Sequence, residues 1–280
     1  MLIDAHTHIS APQIIADRAR LVERDDHFRA LYADPRARLA TADSLIMSLT
    51  AAGVDAAVTF GFAFRSLDLC RLCNDYTLAC AKAYCGRLVP LAVTNPTTAD
   101  GLREASRCLA AGARGLGELM PAGQGYGLDD RGLDALLDLA REAAVPVLVH
   151  VNEPLGHHYP GKGPHGPVEA LRLIERHPDN DIILAHWGGG LCFYELMPEV
   201  RAVCRRVYYD TAASTYLYDD AIYANALGWA PGRVLWGTDY PLIAPHRALT
   251  RVRALALMPS AEADLLGRNV ASLFGLKETV

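Results

Sequence analysis

The run LIDAHTH, residues 2–8, sets two histidines one residue apart at the end of an apolar stretch. Residues two apart on a β-strand point to the same face, so His6 and His8 project together from the strand's C-terminal end, as a chelate would. Seven more short runs rich in Val, Ile and Leu follow at intervals of roughly 25 to 40 residues, each succeeded by helical periodicity. They are VDAAVTFGF (54–62), LVPLAVTNP (88–96), ARGLGELMP (113–121), PVLVHVNEP (146–154), DIILAHWGGG (181–190), RVYYDTAAS (206–214) and GRVLWGTDYP (232–241). Between them the spacing predicts helices over 41–52, 65–84, 98–111, 129–144, 165–177, 191–203, 216–228 and 246–257, with a last one near 260–274. Thr97-Thr98 and Asp129-Asp130 supply start signals for two of these.

Strict alternation of strand and helix implies a parallel sheet, and eight repeats close into an α/β fold of the (β/α)8 TIM-barrel type. An open doubly wound sheet is the competing architecture, but no GxGxxG turn follows the first strand. The chain is read as a single domain, 1–280. Its one extended departure from the repeat is 10–40, a polar, Arg- and Asp-rich insertion after the first strand. Loops after strands build the active face of such barrels, so this insertion is expected to form a wall or lid.

A net charge of −5 provides no cationic field for nucleic acid or anionic membranes. No apolar run reaches the roughly 18 residues a membrane span needs, and no signal peptide is evident; a cytoplasmic protein acting on a small molecule is expected. A homo-oligomer is compatible with the sequence, which does not set the oligomeric state. Seven cysteines fit reduced thiols. Cys70, Cys73 and Cys80 share one helix face and are read as structural thiols, not as a zinc site with Cys85.

The polar residues fall at strand ends: His6 and His8 on the first strand, Glu118 on the fourth, His150 on the fifth, His186 on the sixth, Asp239 on the eighth. Leu148 shares a face with His150, and Leu235 and Gly237 share one with Asp239, so apolar residues lie below the polar ones. Six such groups at one barrel mouth suit a divalent ion such as Zn²⁺. Trp187 and Gly188 to Gly190 shape the turn after the sixth strand; Asp4, one step below His6, is read as a support behind the strand-end groups or a core hydrogen-bonder, and Asp210 as a cap or an orienter of substrate.

Four pieces, DAHTH (4–8), PVLVHV (146–151), ILAHWGGG (183–190) and LWGTDYP (235–241), together resemble the amidohydrolase superfamily, and within it the amidohydrolase-2 branch that includes aminocarboxymuconate-semialdehyde decarboxylase. The resemblance implies that His6, His8, His150 and Asp239 ligate a metal or lie against its water. It implies that His186 ligates a second metal or serves as an acid/base. A bound metal lowers the pKa of its water and a strand-end carboxylate takes the proton, which makes Asp239 the expected base.

Many binuclear relatives bridge their metals with a carboxylated lysine, yet of 27 basic residues only Lys82, Lys162 and Lys277 are lysine, and none is at a strand end. Glu118 stands in that place, as a ligand or bridge, or as a hydrogen-bond partner of a ligand histidine; one or two ions per chain are both open. In the loop after the fifth strand, His157, Tyr159 and Lys162 are candidates for substrate contact, and Arg65 is a second anion-binding candidate. The leading expectation is hydrolysis of a small, carboxylate-bearing substrate by metal-activated water. The alternative is non-oxidative decarboxylation or hydration of an unsaturated or aromatic carboxylic acid.

Overall fold

Each apolar run forms a strand in the computed structural model, which describes residues 1–277. The eight are β1 (Ile3–His8), β2 (Ala56–Phe60), β3 (Leu88–Pro90), β4 (Leu116–Leu119), β5 (Val147–Val149), β6 (Ile182–Leu184), β7 (Val207–Asp210) and β8 (Val234–Leu235). All pair in parallel and in sequence order, as one arc β1-β2-β3 and another β4-β5-β6-β7-β8. Two single bridges, Ala92 to Leu116 and Thr7 to Tyr240, join the arcs into a barrel. Backbone bonds flank both seams: Ala5 N–H to Trp236 O (2.7 Å) and His8 N–H to Tyr240 O (2.7 Å) at one, Gly117 N–H to Ala92 O (2.8 Å) at the other.

Alternation along the strands sorts the core into two. Leu148, Ile183 and Leu235 fall in one buried cluster with Ile3, Val58 and Val89. Val147, Val149, Ile182, Leu184 and Val234 fall in another that also holds the helix residues Leu136, Leu137, Ala170 and Leu173. Both faces of the sheet are therefore buried, the reason its strands read as continuous apolar runs. The first set fills the barrel beneath the mouth.

Helix boundaries follow local chemistry. The Ala42–Ala52 helix starts at Thr41, whose hydroxyl accepts the Ser44 N–H, and Ala99–Ala110 starts at Thr98, which accepts from Gly101. The segment expected from 129 begins at Gly132, with Asp130 accepting the Gly132 N–H at 2.8 Å. The single helix expected over 191–203 is two, Leu191–Tyr194 and Pro198–Val203, because Pro198 lacks the N–H that would continue the first. The one expected over 216–228 begins at Ala221, after a separate turn at Ser214–Leu217. The last helix is interrupted by a π-helical stretch at 264–268 that accepts the Trp236 N–H.

The 10–40 insertion carries three short helices, Pro12–Ala16, Arg18–Arg24 and Asp26–Tyr32. They bury Ile14, Leu21 and Phe28, spaced seven apart, against the barrel. Cys70 and Cys73 are buried, Cys80 is half-buried and Cys85 is exposed. No helix among the described residues is long and apolar enough to cross a membrane.

Candidate metal centre

β1 supplies His6 and His8, β4 supplies Glu118, His150 follows β5, His186 lies just past β6, and Asp239 stands four residues beyond β8. Their potential ligand atoms gather in two groups, His6/His8/Asp239 and Glu118/His150/His186, each within 4.8 Å. In the first, His8 Nε2 lies 3.2 Å from His6 Nε2 and 3.2 Å from Asp239 Oδ1. In the second, His150 Nδ1 lies 2.9 Å from Glu118 Oε1 and 3.2 Å from His186 Nε2. Glu118 faces both: its other oxygen, Oε2, is 3.7 Å from His6 Nε2 and 3.6 Å from His8 Nε2.

Buried carboxylates brace the first group from behind. Asp210 accepts from His6 Nδ1 at 2.8 Å, and its other oxygen takes the backbone N–H groups of His186 (2.9 Å) and Ala212 (3.0 Å). Asp4 accepts from the Thr238 hydroxyl (2.6 Å) and from the backbone of Thr238 and His6, anchoring the loop that carries Asp239. Burial pushes Asp4 up to about 7 against those bonds. Gly237 permits the approach of this loop, since a Cβ there would collide with His6.

The second group rests on neutral partners. His186 Nδ1 donates to Ala212 O at 3.0 Å, leaving Nε2 turned to the site. His186 opens a run of five residues with positive φ, His186 to Gly190, a conformation that strains His186 and Trp187 and suits the three glycines after them. The Asn152 amide is oriented by the Gly163 N–H, which reaches Oδ1 at 2.8 Å. Its nitrogen therefore faces His150 Nε2 at 3.1 Å, which puts a lone pair on Nε2 and the proton on Nδ1, directed at Glu118.

The electrostatics call for positive charge. Burial works against a protonated His6, but the charges of Asp210, Glu118 and Asp239 push it up to about 10. Burial likewise opposes ionisation of Glu118 and Asp239; the charges of His6 and His150 hold Glu118 well below the usual carboxylate range, and the His8 hydrogen bond with the charge of His6 lowers Asp239. For His150, burial is outweighed by the pull of Glu118 toward the charged form, which the Asn152 N–H resists. Among the described residues His8 Nδ1 is buried without a hydrogen-bond partner. Converging imidazoles and carboxylates that hold a proton in this way fit a divalent cation, whose binding would displace it.

Above the two groups opens a cavity of about 410 Å³. His8, Glu118, His150, His186 and Asp239 line it, with apolar walls from Leu31, Met120, Leu217 and Leu242. Of the residues singled out for substrate contact, His157 and Tyr159 are on the lining; Arg65 and Lys162 are not. Arg65 packs its guanidinium beside Gly125. The Lys162 ammonium donates to Leu155 O (2.7 Å) and His157 O (3.1 Å), stapling its own loop. Sequence reasoning missed His27, Tyr32 and Arg38 on the insertion and Tyr216 beyond β7, all of which line the cavity. The "DDHF" stretch around Asp25, the N-cap that accepts the Phe28 N–H, was the one local signal for the helix that carries His27.

A protein-family model described as amidohydrolase matches residues 3–276. No curated protein matches the chain in sequence. Among solved structures, 5-carboxyvanillate decarboxylase from Sphingomonas paucimobilis superposes at TM-score 0.82 with 18% identity over 99% of each chain. The enzyme of that name from Novosphingobium aromaticivorans, in complex with manganese and 4-hydroxy-3-methoxy-5-nitrobenzoic acid, does so at 0.80 with 16% identity over 99% of this chain and 96% of the other. A dihydroxybenzoic acid decarboxylase from Polaromonas sp. JS666, bound to manganese and 2-nitroresorcinol, gives 0.76 with 17% identity over 99% and 98%. At these identities the likeness is one of fold.

Proposed function

Because the chain belongs to the amidohydrolase family, we propose that it is a metal-dependent decarboxylase of a small aromatic or unsaturated carboxylic acid. The observation that carries this reading is the cavity: largely apolar walls of a size for one planar ring, standing over a floor of imidazoles and carboxylates. The manganese-bound decarboxylases of like fold support it. Hydrolysis, the sequence's first expectation, keeps one point in its favour, the placing of the two Glu118 oxygens toward separate groups.

His6, His8 and Asp239, with Glu118 Oε2 behind them, would hold Mn²⁺ or Zn²⁺; His150 would join them once Nδ1 lost its proton. When bound, the ion supplies a Lewis acid that anchors and polarises the oxygens of the acid. The residues supply the rest. The walls keep the ring in register and exclude water. Asp239, held ionised, would take a proton from solvent before the substrate seals the cavity; as the ring carbon–carboxylate bond breaks, its bonding pair stays on the ring carbon, the carboxylate leaves as neutral CO2, and the ring carbon accepts the proton from Asp239. His186, with Nδ1 fixed on Ala212 O, presents Nε2 as the second proton-carrying group. The helices of the 10–40 insertion act as a wall of the site, and Arg38, on that wall, is a cation available to the substrate.

The test is to incubate manganese- and zinc-loaded protein with hydroxylated benzoic acids and, separately, with esters and lactones, while measuring released CO2. Stoichiometric CO2 with loss of the acid is expected. Ester or lactone cleavage with no CO2 from any acid would overturn the reading.

A further inference from the structure

Three contacts fix the ring of His27 and the direction of its Nε2. The ring stacks on Phe62 (centroids 5.3 Å apart, planes at 27°) and covers Gly123, where any Cβ would strike it. Nε2 lies 3.1 Å from Met120 Sδ. A thioether has lone pairs and no proton to give, so Nε2 carries the hydrogen and Nδ1 the lone pair. Among the described residues nothing pairs with Nδ1, which is not sealed in the core, and the ring lines the cavity. Burial, helped by the charge of His150 against the opposing pull of Asp25 and Glu118, lowers His27 to about 4, so at neutral pH the ring is uncharged.

We propose that His27 Nδ1 accepts a hydrogen bond from an O–H or N–H group carried by the ring of the bound acid, and so determines specificity for hydroxylated or amino-substituted substrates. Packing holds the imidazole in place, which leaves its one acceptor for the ligand; an acid with an apolar or methylated group at that position would leave a lone pair desolvated and unmatched. The inference rests on the reading of the cavity as an aromatic-acid site.

Calorimetric binding of benzoate and its three monohydroxy isomers to the manganese-loaded full chain tests it. In the wild type one isomer should bind about tenfold better than benzoate. In His27→Phe, which keeps the stack on Phe62, the ratio of hydroxybenzoate to benzoate affinity should fall to about one with manganese content retained; His27→Asn, with an amide oxygen near the position of Nδ1, should restore part of the ratio. An equal preference in wild type and His27→Phe, or binding of all four acids without preference in the wild type, overturns the assignment of His27 alone. Failure of all four to bind the wild type overturns the aromatic-acid reading and this inference with it.

Discussion

The two halves of the candidate metal centre are built from the same residue types and braced differently. Behind His6 stands a carboxylate, Asp210, that already takes the Nδ1 proton, so Nε2 is free to face an ion. Behind His150 stands an amide N–H that claims Nε2 and leaves the proton on Nδ1, the nitrogen facing the site. Anionic support raises the affinity of the first group for a cation; neutral support with the opposite polarity lowers that of the second. On the proposed reading one tight ion would sit at His6/His8/Asp239, leaving His186 to move protons.

Three measurements press on that contrast. The largest effect is expected from replacing both His6 and His8 with Ala: metal affinity should fall by more than the roughly 100-fold that loss of a supporting partner costs, leaving little metal detectable by mass spectrometry, with the circular dichroism of the barrel retained. Full occupancy in the double variant would remove β1 from the site. Next, Glu118→Gln separates one ion from two. If the second group is empty, wild type and variant both bind close to one metal per chain, the variant about 10- to 100-fold more weakly; a fall from two to one would make Glu118 a bridge and favour hydrolysis. The smallest effects compare the braces themselves. Asp210→Asn should weaken metal binding roughly 10-fold or more, and Asn152→Ala well under 10-fold; equal losses would erase the difference between the halves.

The residues at the floor of the site were legible because a strand fixes where its side chains go. Once LIDAHTH and PVLVHV are strands of one parallel barrel, His6, His8 and His150 can only lie at its mouth, and parity places Leu148 below His150. Asp239 was legible by motif more than by geometry, since β8 stops at Leu235 and the residue is carried by a loop tied to Asp4 and to the His6 carbonyl. The walls were not legible. Lys162 looked available as the lone lysine of a polar loop, yet that loop folds back and spends the ammonium on its own carbonyls. Arg38 and His27 reach the cavity through the packing of short helices whose only long-range signal is the spacing of Ile14, Leu21 and Phe28. The role of Asp210 was open between cap and orienter; it holds His6 and the His186 backbone together.

The barrel is closed at two seams, and the first group of donors lies across one of them, His6 and His8 on the first strand and Asp239 past the last. An ion chelated there ties together positions near opposite ends of the chain and acts on the unfolded ensemble as a long-range crosslink does, by removing the freedom of the intervening segment. The free energy of such a clasp appears as resistance to unfolding in proportion to the logarithm of metal concentration, about 2.7 kcal/mol at a hundredfold excess over the dissociation constant. On the proposed reading, substrate chemistry and closure of the ring would be served by one and the same bond set, and removing the metal would loosen the fold along with stopping the reaction.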